Sequence, residues 1–231
     1  MNDIKEIQSI LWHEIGHLLI DILLIEKHPK ISIKEILIRN YKCENVSWCG
    51  WVKLEPKSLL TFDEVIKDKS LTAFKFLSLY SGCLFQSLYA PNKIRVDNCF
   101  AFKKTAIGKG DHDQSSVLLS KLLEKHPELR GNMQFFDCHN SIIKNELSAV
   151  FIGVSDLKEK LNFIISNEAK NIQTDILASN NSKQYHYIYK ENKRDALIKS
   201  INEVIDNCKL KELIDGLVLK MSDNLEKHIS K

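Results

Sequence analysis

Apolar positions recur every three or four residues at the start of the chain, at Ile4, Ile7, Leu11, Ile15, Leu18 and Ile22. That spacing follows the 3.6-residue turn and predicts an α-helix from residue 3 to about residue 26. The pattern then changes. The stretch "ISIKEILI" (31–38) alternates and is β-branched, and "VSWCGWVKL" (46–54) has the same character. With polar "RNYKCEN" between them, the two predict a β-hairpin. A second helix opens near Thr61, and the long apolar run "LTAFKFLSLYSGCLFQSLYA" (71–90) predicts a helix that stops at Pro91. Residues 92–110 have little periodicity and end in the glycine-marked "IGKGD". Helical spacing returns from Asp111 to His126, and Pro127 follows. Past about residue 139 the pattern is mostly helical, with a polar break at "ASNNSKQYHYIYKENK" (178–193). The expected fold is mainly α, with a small β-hairpin near the first helix. Residues 1–153 read as one domain. Residues 154–231 read as a C-terminal helical region, which is a satellite bundle, an oligomer surface or part of the same domain.

Composition narrows the class. The 231 residues are 44% hydrophobic and 27% charged, the balance of an ordinary globular protein. Net charge is +3, from 33 basic and 30 acidic residues that are interspersed rather than blocked. That distribution makes no case for a nucleic-acid surface. The N-terminus has no basic leader followed by an apolar stretch, so no secretory signal is expected. The longest apolar run, Leu18 to Ile25, is broken by Asp21 and falls short of the roughly 20 residues of a spanning helix. Six cysteines without a C-x-x-C pair suit the reduced thiols of a cytoplasmic protein. They read mainly as small buried hydrophobes, although Cys43 and Cys49 are open to a metal role.

The chemistry concentrates in "ILWHEIGHLLIDILLI" (10–25), where ionisable side chains interrupt an apolar helix. A buried polar group without partners costs a few kcal/mol, roughly, so these need satisfying. His13 and His17 are four residues apart and share one helix face, from which both imidazoles reach one tetrahedral ion. Glu14, rotated by roughly 100° from His13, flanks such an ion without ligating it and is placed to take a proton from water. Gly16 removes a side chain beside the site and lets another backbone approach. The competing reading is a helix with two hydrogen-bonded core histidines. A catalytic zinc also needs a third protein ligand. Ile20 and Leu23 exclude an H-x-x-G-x-x-H continuation, which leaves Glu64 in "TFDEVI", Asp111 in "GKGDHDQSSVLL", or Asp113. Asp21 shares the ligand face and is a candidate acceptor for an imidazole. His112, His126, Trp48 and Trp51 read as surface or packing residues.

These motifs resemble the peptidase domain of FtsH-type ATP-dependent zinc metalloproteases. In that family an H-E-x-G-H helix supplies two zinc ligands and the catalytic Glu, and a downstream Asp opening a helix is the third ligand. The resemblance covers about residues 1–126, through His13, Glu14, Gly16, His17 and Asp111. "LYSGCLFQSLYA" resembles the family's small-residue helix, but carries a single Gly82 and Gln86 where acidic residues are usual. It implies a zinc metalloendopeptidase with Glu14 as general base and Zn2+ on His13, His17 and Asp111. The family's ATPase module carries a G-x-x-x-x-G-K-[ST] phosphate loop, and "GKGDH" lacks that spacing. The expected substrates are therefore flexible or small polypeptides, or ones delivered by a separate unfoldase chain or a homo-oligomer. The alternative is a non-catalytic binding or regulatory protein that keeps a metal site. The intact Glu14 argues against it, since a structural zinc takes four ligands and needs no base.

Overall fold

The computed structural model of the protein describes residues 3–43, 46–102, 107–178 and 184–229. The first predicted helix forms as α1 (Asp3–Lys27), and every residue from Ser9 to Leu24 is buried. A helix that is apolar on all faces belongs in the middle of a fold. By length and composition alone α1 qualifies as a membrane span, but 94% of that stretch is buried inside the protein.

Two strands follow α1, β1 (Ser32–Cys43) and β2 (Val46–Glu55), paired antiparallel with Ile36 opposite Val52 and Ile38 opposite Gly50. The hairpin is longer than the periodicity indicated. Residues of "RNYKC" continue β1, and the expected connector shrinks to positions outside the described residues. A third strand, β3 (Gln184–Ile188), pairs with the other side of β1 and places Tyr187 opposite Ile38. The sheet order is β2-β1-β3. β3 lies inside the segment read as a polar break. Its signal was the alternation of Tyr185, Tyr187 and Tyr189, all buried, with the two-residue period of a strand. The polar residues around them diluted it.

After β2, the short α2 (Phe62–Val65) is capped by the Thr61 hydroxyl, which accepts from the Glu64 amide. The long α3 (Lys69–Tyr89) starts where the Asp68 carboxylate accepts from the Leu71 amide at 3.0 Å. It ends before Pro91, because the residue ahead of a proline is disfavoured in helical geometry. α3 packs directly on α1. A Cβ at Gly16 would lie 2.6 Å from the Ser81 carbonyl oxygen, and the Ser81 hydroxyl donates to the Gly16 carbonyl at 2.8 Å. This is the close backbone approach expected of Gly16. A short α4 (Val96–Cys99) and then α5 (Lys109–Lys125) complete the frame of the site.

Apart from β3, the later described residues are mainly helical: α6 (Met133–Ser141), a π-helical turn (Ile142–Glu146), α7 (Leu147–Gly153), α8 (Leu157–Ala178), α9 (Glu191–Asn207) and α10 (Leu210–Ile229). α8 and α9 pack on α1, and α10 packs on α3. One apolar core takes in Leu11, Phe85, Leu161, Ile201 and Ile214. The C-terminal helices therefore share the core that holds α1, and β3 extends the same sheet.

Candidate metal centre and active site

Helices α1, α3 and α5 converge on one point. His13 and His17 sit one turn apart on α1, both buried, with their Nε2 atoms 3.1 Å apart. Asp111, in the first turn of α5, brings its Oδ2 to 3.1 Å from His13 Nε2 and 3.4 Å from His17 Nε2. Two ligand atoms held by one zinc at about 2.0–2.1 Å and a tetrahedral angle stand roughly 3.3–3.4 Å apart. The three separations fit that geometry, and two imidazoles with one carboxylate is a donor set that leaves a fourth position open.

The supporting contacts decide which nitrogen faces the cluster. His17 Nδ1 donates to the Ser78 carbonyl at 2.7 Å, which leaves the Nε2 lone pair free for an ion. Ser78 also donates through its hydroxyl to Asp21 Oδ1 at 2.8 Å. Asp21 thus does not accept from an imidazole directly, as its place on the ligand face suggested. The Ser78 carbonyl of α3 takes that place, and Asp21 accepts from the Ser78 hydroxyl instead. His13 Nδ1 and Glu14 Oε2 are buried without a hydrogen-bond partner among the described residues.

Two glycines make room for these side chains. A Cβ on Gly82 of α3 would come within 2.3 Å of His17 Nε2. A Cβ on Gly50 of β2 would come within 2.6 Å of Glu14 Cγ. Neither role was visible in the sequence, where Gly82 is one small residue in an apolar helix and Gly50 one residue of a strand.

Electrostatically the site is a trap for positive charge. Burial works to lower the pKa of His13, but the Asp111 carboxylate and the Cys99 thiol beside it raise it well above the ordinary histidine value. Burial likewise lowers that of His17, and Asp111 overcomes it to give a net rise. Asp111 itself, although burial pushes it up, is held far below the usual carboxylate range by His17 and His13. Burial pushes the Glu14 carboxyl up to about 7, against the pull of His13 and His17. A divalent cation at the three donors would take the place of the protons that the two imidazoles hold, so its binding depends on pH.

The other sequence candidates fall elsewhere. Glu64 is an exposed partner of Lys67 (2.6 Å) and takes no part in the cluster. Asp113 points to solvent, paired with Lys109 and with His112 Nδ1 at 3.7 Å. α5 opens two residues ahead of Asp111, where the helical spacing was expected to begin. The helix begins at Lys109 with Gly108 as its cap, and the Asp111 carboxylate turns to the histidines. His112 lies edge-on to Phe100, and His126 faces Glu128 at 3.4 Å. Cys49 is half-buried, accepts from Arg39 Nε at 3.0 Å and joins no donor group among the described residues, while the Cys43 side chain lies outside them. Trp48 is buried packing, whereas Trp51 lines the site cavity, held by its Nε1–H donating to Glu35 at 3.1 Å and by Arg39 over its ring. Cys83 and Cys99, overlooked in the sequence, lie with His13 in a second donor group.

A cavity of about 210 Å³ opens on the cluster, lined by Glu14, His17, Trp51, Val52, Lys75 and Gln114 among others. β2, an edge strand of the sheet, forms one wall of it. No protein-family model, curated protein or solved structure matches the chain.

Proposed function

We propose that the protein is a zinc-dependent metalloendopeptidase of the FtsH-like kind. The observation that carries this reading is the position of Glu14. It is a buried carboxylate with an unpartnered oxygen, in a cavity wall beside three donors at zinc-ligand spacing. His13, His17 and Asp111 would hold the ion, with His17 oriented by the Ser78 carbonyl. A zinc ion there supplies Lewis acidity, lowering the pKa of a water to near 7 and polarising a carbonyl, by about the amounts known for such sites.

Glu14 takes the proton of the attacking water and passes it to the leaving amine. The free edge of β2 offers backbone groups to an extended peptide, which would lie along Cys49–Val52 and across the cavity. Flexible or small polypeptides suit that geometry best, since an extended segment must reach the edge strand.

The test is metal analysis with a peptide-library cleavage assay on the wild type, His13→Ala and Glu14→Gln. About one zinc per chain is expected in the wild type and in Glu14→Gln, and none in His13→Ala. Hydrolysis is expected from the wild type, with a loss on the order of 10²–10⁴ in Glu14→Gln. Zinc without hydrolysis in the wild type would favour the non-catalytic alternative. Stoichiometric metal in a His13→Ala/His17→Ala double variant would end the zinc reading.

A further inference from the structure

We propose that Cys83, Cys99 and His13 form a second metal site, selective for a thiophilic cation, that competes with the zinc centre for His13. The donor atoms of these three residues lie within 4.8 Å of one another, and all three residues are buried. They come from α3, α4 and α1, so the grouping is a product of packing and not of a local turn. Donor atoms around one ion at about 2.1 Å for nitrogen and 2.3 Å for sulfur stand roughly 3.4–3.8 Å apart. Small side-chain rotations therefore convert the group into a ligand set. Two thiols with one imidazole favour soft cations such as Cu(I) or Cd(II) over hard ones such as Mg or Ca.

The surroundings hold the thiols in place. The Cys99 thiol donates to Gln86 Oε1 at 3.4 Å, and Gln86 is itself buried. The Gly108 amide donates to the Cys99 carbonyl at 3.1 Å. A Cβ at Gly108 would sit 2.1 Å from Cys83 Sγ, so only glycine lets the segment leading to Asp111 close over the pair.

Competition follows from the chemistry of the ring. A neutral imidazole offers one lone pair, because its other nitrogen carries the proton. His13 can give that lone pair to the His17–Asp111 side or to the two thiols, but not to both. A soft ion on the thiols takes a ligand from the zinc centre. The competition rests on the zinc reading above, whereas the thiolate site does not.

The probe is cadmium alone, added to the reduced chain as 113Cd after removal of other metal. The expected result is one 113Cd resonance at a shift typical of mixed sulfur and nitrogen ligands, with an ultraviolet thiolate-to-cadmium band. In the Cys83→Ser/Cys99→Ser variant the band is lost, and the remaining cadmium resonance moves to the nitrogen–oxygen range. His13→Ala should weaken cadmium binding by more than the roughly 10–100-fold that loss of a supporting contact costs. In zinc-loaded wild type, cadmium should release about one equivalent of zinc, the stoichiometry of a single centre. The serine variant should keep its zinc at the same cadmium concentration. A wild-type resonance without sulfur ligands, which requires no variant to fold, overturns the proposal, as does a thiolate band that survives in the serine variant. A thiolate band with zinc still bound overturns the competition. A chain that never held zinc would sink the preceding reading instead, and the thiolate resonance would still decide this one.

Discussion

His13 Nε2 stands 3.1 Å from Asp111 Oδ2, although the two residues are 98 positions apart in the chain. Helix α3 brings them together, because it packs on α1 through Gly16 and Ser81 and on α5 at the other end of the site. Both partners are largely withdrawn from water, so their attraction is screened less than that of a surface pair. The same burial makes the pair costly to leave without a compensating charge.

The proposed ligand role separates Asp111 from its neighbours. Asp111→Asn keeps the size of the side chain but removes the charge that offsets a dication. Zinc affinity, read by chelator competition, should drop by at least about 10–100-fold. Asp113→Asn and Glu64→Gln should bind zinc as the wild type does, since both carboxylates face solvent and pair with lysines. Equal affinity of Asp111→Asn and the wild type would remove Asp111 from the ligand set.

Gly82 is a steric requirement of His17. In Gly82→Ala the new methyl would lie 2.3 Å from Nε2, so the imidazole must move. The expected outcome is lost zinc and a stability cost of about 1–3 kcal/mol from overpacking. Gly216→Ala is the control. It lies within α10 with nothing within 4 Å of the new methyl, and should stabilise by roughly 0.5–1 kcal/mol. Urea unfolding of the two variants should give opposite signs.

On the proposed reading, Gly50 would bear on catalysis without touching the ligands. Its replacement by Ala forces Glu14 aside, because the methyl would meet Glu14 Cγ at 2.6 Å. Zinc content should hold while hydrolysis falls by up to about 10²-fold, the cost of misplacing a reacting group by an ångström. Unchanged hydrolysis in a folded Gly50→Ala would show that Glu14 has room to spare and is not held by β2.

Acid should weaken the fold through His139. Burial depresses its pKa from 6.5 to about 4, among the rings of Phe76 and Phe135. Below pH 6.5 the unfolded chain takes up the proton that the folded chain refuses. The stability is thus complete above that pH and is lost as pH falls towards about 4, by roughly 3 kcal/mol. His139→Leu should lack this component, so its stability relative to the wild type should rise between pH 6.5 and 4. Parallel pH curves for the two would contradict the assignment.

What could be read from the sequence alone was whatever depends on short range. The helical period put His13 and His17 on one face and Glu14 beside them, because residues four apart on a helix are neighbours in any fold. The same period located α1, α3 and α5, and two-residue alternation located β1 and β2. The third donor stayed ambiguous among Glu64, Asp111 and Asp113, since each opens a helix and nothing local says which helix will meet α1. Tertiary structure brought one of them to the histidines by packing α3 against α1 and α5, which turned Asp111 inward and left the other two in solvent. It also recruited β3 across more than a hundred residues to finish the sheet, and put Cys83 and Cys99 against His13. Gly50, Gly82 and Ser78 acquire their roles in the same way. Their importance lies in which atom of another element stands opposite them, and a one-dimensional pattern does not carry that information.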